Sequence, residues 1–402
     1  MEKVSSKDKK NMNWRLLLSL ILARLSARPH YILFSVLLVD VAYSFQVPVG
    51  VMSQIRSISS IITMIFSLIM GVISVRYRPK PLLLLGVFLF IVSAVGCGLA
   101  VSFGHMMFFY ALTGVGNAMI IPTSQTIIGD NFDVDNRARA ISIMLMSFTL
   151  VSALITSPVI NQFAVWGGWR LSFLGYVLPG AVLGLIFAYF GIPESKREME
   201  NVERGQAILT VFREILSNRS ALACIVCAAL GTAAFTSVGT YGVSSFVERF
   251  DMPPEWRAPM WSIMTFTGSL GSYLSGLLVA RFGRRPVTLV SSFIMGLLTM
   301  GFMNLGGFWV AGVLITLNGI AWTVWFPAAT SLTLEQSQEF RGSVMSLNEA
   351  SRSVGMALGV SLGGYVLLQS GYGYLGLVLG GLGIVSSILY YFFSIDPTKK
   401  KM

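Results

Sequence analysis

Residues 276–285 read Gly-Leu-Leu-Val-Ala-Arg-Phe-Gly-Arg-Arg, a basic turn that directly follows a long apolar run. A related segment, Gly-Val-Ile-Ser-Val-Arg-Tyr-Arg-Pro-Lys, occupies residues 71–80 and begins 205 positions earlier. Pro122 and Pro327, each inside an apolar run, are separated by the same 205 positions. Repetition of landmarks at this spacing predicts two related halves, an architecture typical of membrane transporters.

The composition argues against a water-soluble globular protein. Of the 402 residues, 54% are hydrophobic and only 12% are charged, whereas soluble proteins carry about 25% charged residues. Runs of about 20 apolar residues can cross the ~30 Å hydrocarbon core of a bilayer, and backbone groups in lipid must be paired within a helix. Twelve such runs predict an all-α integral membrane protein with twelve transmembrane helices in two six-helix pseudo-symmetric bundles around a central cavity.

The order of these runs predicts five segments along the chain. The first crossing is placed at 31–53, because Arg15 and Arg24 bracket the apolar stretch before it. We interpret that stretch as a helix at the membrane interface or, alternatively, as the lead-in to the first crossing. The predicted segments are a basic N-terminal tail with the interfacial helix (1–30), an N-terminal six-helix bundle (31–192), a cytoplasmic linker (193–219), a C-terminal six-helix bundle (220–394) and a basic C-terminal tail (395–402).

Basic residues favour one side of the membrane. With both termini in the cytoplasm, 24 of the 29 Lys and Arg residues fall in inner segments. Four fall in outer loops (Arg56, Arg170, Arg249 and Arg257), and Arg352 lies within a crossing. This asymmetry follows the positive-inside rule and accounts for the net charge of +11 without a nucleic-acid partner. We therefore expect a multi-pass protein of the cell (plasma) membrane with both termini cytoplasmic.

The sequence predicts neither a metal site nor a cofactor. Cys224 and Cys227 form a C-x-x-C pair inside an apolar run, with no histidine nearby in sequence. Small buried thiols are therefore expected rather than a zinc or redox centre. No G-x4-G-K-[ST] motif is present, which argues against direct use of ATP. The expected partners are membrane lipid, a small-molecule substrate and protons.

Two motifs resemble those of a known transporter family. Residues 276–285 are similar to the G-x-L-a-D-r-x-G-R-r signature of the major facilitator superfamily, and Trp169-Arg170-x-x-Phe173 is similar to its g-W-R-x-x-F. The resemblance covers nearly the whole chain and implies secondary transport by a protein that works as a monomer. It also implies conformational loop motifs at Gly71, Arg76 and Lys80 in the first half, and at Gly276, Arg281, Gly283, Arg284 and Arg285 in the second.

The loop motifs depart from the family in one respect. The aspartate of the family signature is replaced by Val75 in the first copy and by Ala280 in the second. In the family this loop belongs to a charged latch that favours the outward-facing state. The resemblance therefore implies that the latch is altered in this chain.

Asp40 is a candidate proton-coupling residue. It lies in the predicted first crossing, where an ionised carboxylate is costly and usually functional. Its position resembles the acidic residue of drug/proton antiporters in the superfamily. The fourth crossing, however, has Tyr110 where that branch has an arginine. The alternative interpretation is an acid that reaches the interface or caps a neighbouring helix.

Glu349 and Arg352 form the second charged candidate. Their i, i+3 spacing in the eleventh crossing places them on one helix face. They either form a structural ion pair that neutralises two buried charges, or Arg352 receives an anionic substrate while Glu349 serves as a second titratable group. Both interpretations remain open from the sequence.

Other polar and aromatic residues are candidates for the lining of the cavity. Polar side chains at mid-depth either face the cavity or form hydrogen bonds between helices, and aromatic side chains either stack on a ligand or pack at the interfaces. The candidates are Gln46, Asn117, Gln125, Tyr241, Asn318, Trp322, Trp325 and Asn348. Gly355, Gly359 and Gly363 form a smooth helix face, which we interpret as a seam along which the halves slide.

Three functions are consistent with these features. The first is proton-coupled export of lipophilic or cationic compounds, based on Asp40 and the aromatic content. The second is symport or exchange of a small organic anion or metabolite, based on Arg352 and the missing arginine of the fourth crossing. The third, a membrane enzyme or receptor, has little support, because the sequence offers no catalytic cluster.

Overall fold

The computed structural model describes residues 13–132, 134–194, 212–336 and 341–397. This part of the chain is almost entirely helical and contains no β-strand. Two π-helical turns, Ser152–Thr156 and Phe173–Val177, interrupt the helices. The α-helices are α1 (Trp14–Leu25), α2 (Arg28–Val36), α3 (Leu38–Ser44), α4 (Val49–Met52), α5 (Gln54–Arg76), α6 (Pro79–Gly98), α7 (Phe103–Asn131), α8 (Val134–Val151), α9 (Ser157–Ser172), α10 (Leu178–Gly191), α11 (Arg219–Gly239), α12 (Gly242–Phe250), α13 (Pro254–Phe282), α14 (Arg284–Asn304), α15 (Phe308–Leu334) and α16 (Arg341–Phe393).

Ten apolar helical segments of the described residues are long enough to cross a membrane. Two of them, Met146–Gly191 and Leu347–Phe393, have 46 and 47 residues, about twice the length that one crossing needs. Each reverses direction at a glycine with a φ of +76°, Gly168 and Gly371 respectively. The described part therefore contains the twelve predicted crossings, and the all-α membrane fold is confirmed.

The two reversals are visible in hydrogen bonds between neighbouring crossings. After Gly168 the chain folds back so that Ser172 Oγ donates to Ile160 O at 2.8 Å. After Gly371 the last crossing runs antiparallel to α14, because Asn304 Nδ2 donates to the carbonyl of residue 373 and Ser387 Oγ donates to that of residue 289. Glycine is required at both reversals, since L-residues rarely adopt this positive φ.

The first crossing begins earlier than predicted. Trp14–Val36 forms one candidate crossing, and the helices continue to Ser44 with breaks only near residues 26 and 37. Leu16, Leu17 and Leu20 are at most 1% exposed, in one cluster with core residues of α6, α7 and α10. The interfacial helix within 1–30 is therefore wrong, and the alternative of a lead-in fits. Asp40 consequently lies near the far end of the first crossing.

Prolines shape both π-helical turns. Pro158 follows the turn Ser152–Thr156 within two residues, and Pro179 follows Phe173–Val177 in the same way. Proline has no backbone N–H and its ring collides with the carbonyl four residues earlier, so the preceding turn widens instead of continuing as an α-helix. The sequence thereby places a local irregularity in the fifth and sixth crossings, and the first of these turns borders the site described below.

The two halves meet at one end of the molecule. We call the end that holds the start of α1 and the end of α16 the inner end, following the predicted topology, and the opposite end the outer end. The N-terminal half comprises α1 to α10 and the C-terminal half α11 to α16. Near the outer end a Cβ on Gly364 would lie 2.5 Å from Gly50 O, so the halves approach there through two glycines.

The glycine repeat of the eleventh crossing packs within one half. A Cβ on Gly355 would collide with the backbone of Ala229, and one on Gly359 with that of Ala233. Both alanines belong to α11, in the same half as the repeat. The prediction that this repeat forms a seam between the halves is therefore wrong. Small residues instead allow α11 and α16 to pack closely.

Candidate functional site

Two arginines project from the inner part of the first crossing. The Arg28 guanidinium lies 4.4 Å from the centre of the Phe148 ring and 5.5 Å from that of Tyr31. Arg28 Nε donates to Ser152 Oγ at 3.3 Å, at the start of the first π-helical turn. Arg24, one helical turn earlier, lies 5.6 Å from the same Phe148 ring. Within the described residues, the two guanidinium groups are thus contacted by aromatic rings and a hydroxyl rather than by carboxylates.

Arg56 is a buried cation, contrary to the prediction of an outer loop. It lies within α5 and is 3% exposed. Its Nη1 donates to Gly239 O at 2.8 Å and to Ser35 Oγ at 3.3 Å, and its guanidinium lies 3.8 Å from the centre of the Tyr31 ring. Arg28 and Arg56 therefore share the Tyr31 ring.

Arg352 faces these cations from the C-terminal half. Its side chain is 7% exposed and its Nη1 donates to Glu349 Oε1 at 3.1 Å, while Glu349 is 52% exposed. Nη2 donates to Thr330 Oγ1 at 2.5 Å, and the guanidinium lies 3.9 Å from the centre of the Phe326 ring. Glu349 also acts electrostatically on Arg24 across the gap between the halves.

We call Arg24, Arg28, Arg56 and Arg352 the cationic cluster. Within the described residues, Glu349 is the single carboxylate that forms an ion pair with any of them. The cluster therefore carries an excess of positive charge inside a membrane bundle, where isolated charges are costly. Such a cluster can bind an anion. Sequence reasoning found Arg352 but assigned the other three to tails and loops.

Asp40 is paired with a cation instead of standing alone. Its carboxylate accepts a hydrogen bond from Arg257 Nη1 in a close ion pair, in which the Arg257 side chain is 9% exposed and that of Asp40 is 39% exposed. Arg257 lies in α13, not in the predicted outer loop, and belongs to the other half. The pair thus joins the halves near the outer end.

Further hydrogen bonds join the halves. Ser53 Oγ and Tyr241 Oη are 2.8 Å apart across the halves, and the Tyr241 hydroxyl also donates to Val360 O at 2.7 Å within its own half. Ser57 Oγ donates to Ala357 O at 2.9 Å. We call these contacts, with Asp40–Arg257 and Arg56–Gly239, the outer seal. Tyr241, a predicted cavity residue, is therefore part of the seal.

Three predicted cavity residues lie inside the C-terminal half. Asn318 is fully buried and its Nδ2 donates to Met295 O and Thr299 Oγ1, which joins α15 to α14. Trp325 is fully buried in a cluster with Cys224 and Cys227. The Asn348 amide is buried and makes no hydrogen bond within the described residues. The first two serve packing between helices.

The remaining predicted cavity residues occupy different places. Gln46 is exposed in the turn after α3 with a φ of +55°, so it lies beyond the outer seal. Asn117 is half-buried and Gln125 exposed, both in α7. Trp322 stacks on Phe235 of α11 with 4.0 Å between the ring centres and an interplanar angle of 11°.

The conformational loop motifs are described in part. The surroundings of Gly71 and the side chain of Arg76 lie outside the described set, and the Lys80 ammonium lies 5.5 Å from the centre of the Tyr189 ring. In the second copy Gly276 has open space around it, and Gly283 adopts a φ of +90°. The arginines on both sides of Gly283 make contacts: Arg281 lies over Phe282, Arg284 pairs with Glu335 at 3.7 Å, and Arg285 Nη2 donates to Tyr391 O at 2.6 Å.

Comparisons with known proteins agree with this architecture. The sequence model of the Major Facilitator Superfamily matches residues 18–347 and 260–401. The chain is 22% identical to the uncharacterized MFS-type transporter YwfA of Bacillus subtilis, over 96% of this chain and 93% of that protein. It is 32% identical to the multidrug export protein EmrB of Haemophilus influenzae, over 36% of this chain and 28% of that protein.

Solved structures share the fold at low sequence identity. The D-xylose–proton symporter superposes with a TM-score of 0.80 at 15% identity, covering 97% of this chain and 99% of that one. A mutant of the nucleoside transporter NupG superposes with a TM-score of 0.77 at 15% identity, covering 94% and 99%. The names of these two proteins give different solutes, so the likeness shows the shared fold and does not indicate a substrate.

Proposed function

The chain belongs to the major facilitator superfamily, and from this premise we propose that it is a secondary transporter of a small organic anion. The observation that carries the proposal is the cationic cluster: among the described residues, one of its four arginines, Arg352, has a carboxylate partner, Glu349. Charges buried in a membrane bundle need a counter-charge. An anionic substrate between Arg28 and Arg352 would supply it.

Glu349 is the group that we propose for proton coupling. It is half-exposed, forms an ion pair with Arg352 and acts on Arg24. When Glu349 is ionised it competes with the substrate for Arg352, and when it takes up a proton the guanidinium becomes free to bind the anion. Proton and anion would thus bind together, which corresponds to symport. Glu349→Gln is expected to retain anion exchange and to lose its dependence on a pH gradient.

A proteoliposome assay tests the proposed substrate class. The purified protein is reconstituted and screened for uptake of radiolabelled organic anions, cations and neutral solutes. We expect uptake of anions, and a loss of about 10- to 100-fold in apparent affinity in Arg28→Gln or Arg352→Gln, since a hydrogen bond to a charged group contributes about 1.5–3 kcal/mol. Arg15→Gln is the matched control, because Arg15 is exposed at the start of α1.

Transport of cations alone would refute the proposal. So would anion uptake that both arginine variants leave unchanged while each remains folded by thermal unfolding. Proton-coupled export of cationic compounds, the other function predicted from the sequence, has less support from the geometry, because its proposed proton carrier Asp40 is ion-paired with Arg257 in the outer seal.

The placement of the protein in the cell is part of the proposal. We propose a monomer in the plasma membrane with both termini in the cytoplasm, which places Arg24, Arg28 and Arg352 towards the cytoplasm and the outer seal, with Arg56, away from it. The positive-inside charge bias supports this orientation. Labelling of a cysteine introduced at Val101, which is 83% exposed in the turn after α6, should occur from outside intact cells. If that cysteine is protected from the reagent outside intact cells, the proposed orientation is wrong.

A further inference from the structure

An aromatic wall adjoins the cationic cluster in the C-terminal half. Phe326 lies against the Arg352 guanidinium, and its ring centre lies 5.5 Å from that of Trp322. Trp322 in turn stacks on Phe235, a residue of α11. The wall therefore runs from Arg352 through Phe326 and Trp322 to Phe235.

The rings of this wall are partly exposed beside a buried cation. Phe326 is 38% exposed and Trp322 is partly exposed. The buried Arg352 Nε has no hydrogen-bond partner within the described residues, and the partner of Nη1, Glu349, is half-exposed. A carboxylate bound at Arg352 would bring its substituent alongside the rings of Phe326 and Trp322.

We infer that the transported anion is an aromatic carboxylate, a carboxyl group attached to a flat ring. This inference rests on the proposed function and specifies its substrate class. Arginine binds a carboxylate through two parallel N–H groups, and aromatic rings gain from offset or edge contact with other rings beyond simple burial of area. An aliphatic carboxylate of the same size can pair with Arg352 but cannot make ring contacts with Phe326 and Trp322.

Isothermal titration calorimetry of the full chain in detergent tests the inference with three probes. Sodium benzoate carries the charge and the flat ring, cyclohexanecarboxylate carries the charge without the flat ring, and benzamide carries the ring without the charge. We expect benzoate to bind about threefold to tenfold more tightly than cyclohexanecarboxylate, the factor that ring contacts supply, and benzamide to bind more weakly than either.

Two tryptophan variants assign the preference to the wall. Trp322→Leu is expected to make benzoate and cyclohexanecarboxylate bind equally, while Trp309→Leu, a control at an exposed position near the outer end, is expected to keep the preference. Phe326→Leu serves as the second wall variant if Trp322→Leu does not fold.

The outcomes separate the inference from the proposed function. Equal affinity for the two carboxylates in the unaltered protein, or a preference that persists in the wall variant, would overturn the aromatic inference and leave anion transport standing. Failure of both carboxylates to bind, or equal binding of benzamide and benzoate, would overturn both.

Discussion

Replacement of Asp40 by Asn tests whether this residue closes the outer end of the protein. In the structure Asp40 pairs with Arg257 across the two halves. The variant leaves Arg257, whose side chain is 9% exposed, without its partner, and the Arg257 Nε already lacks one within the described residues. The closed outer end should therefore become less stable relative to the open one.

The size of the effect follows from the burial of the pair. Removal of one partner from a fully buried pair costs about 3–5 kcal/mol, whereas an exposed pair contributes at most about 1 kcal/mol. With Arg257 buried and Asp40 39% exposed, we expect about 1–3 kcal/mol. This corresponds to a shift of about 5- to 150-fold in the ratio of closed to open outer ends, since about 1.4 kcal/mol is a factor of ten.

Distances between spin labels measure this ratio. Val101, 83% exposed in the turn after α6, and Leu305, 51% exposed in the turn after α14, lie in opposite halves at the outer end. The three native cysteines are buried, so cysteines introduced at these positions will be labelled selectively. Pulsed electron paramagnetic resonance should show a larger population at long distance in Asp40→Asn than in the parent protein.

The double variant Asp40→Asn/Arg257→Met distinguishes a role of Asp40 in the outer seal from a role as a proton carrier. Removal of the orphaned cation should restore much of the closed population, because an ion pair replaced by apolar groups is often tolerated. An unchanged distance distribution in Asp40→Asn, or a double variant no better than the single one, would refute the role in the seal. Uphill transport that fails equally in Asp40→Asn and in the double variant would instead indicate a proton carrier.

Three further substitutions have expected outcomes. Tyr241→Phe removes the hydroxyl that bonds Ser53 and Val360, so it should destabilise the closed outer end by about 1–2 kcal/mol, measured with the same labels. Gly364→Ala places a Cβ 2.5 Å from Gly50 O, so it should hold the outer end open and increase the labelling, from outside, of a cysteine introduced at Ser57 in the outer seal. Gly283→Ala must adopt a φ of +90°, so it should lower the free energy of unfolding by about 1–3 kcal/mol without changing anion affinity.

The fold was predictable because hydrophobic length is a strong signal. An apolar run of 20 residues has few soluble alternatives, and the repeat of residues 71–80 at 276–285 fixed the division into halves. The boundaries of the first crossing were not predictable in the same way. Arg24 and Arg28 interrupt the apolar pattern and were assigned to a tail, although inside the bundle aromatic faces hold them.

The partners of charged residues were the largest gap in the sequence-based predictions. The positive-inside count assigned Arg56 and Arg257 to loops, since a window average does not distinguish a buried arginine from an exposed one. One signal for Arg56 existed: Ser53, Ser57 and Ser60 recur at helical spacing around it, which indicates a polar helix face. No local pattern could pair Asp40 with Arg257, because 217 residues separate them.

The cationic cluster also gives a physical reason for coupling substrate to conformational change. Arg24, Arg28 and Arg56 belong to the N-terminal half, while Arg352 and its ion-pair partner Glu349 belong to the C-terminal half. On the proposed function, an anion that contacts both Arg28 and Arg352 draws the halves together and favours closure of the inner end. A ligand shifts an equilibrium only by its difference in affinity for the two states. A neutral solute makes no such difference at this cluster, so selectivity for anions would arise when the halves close around the substrate.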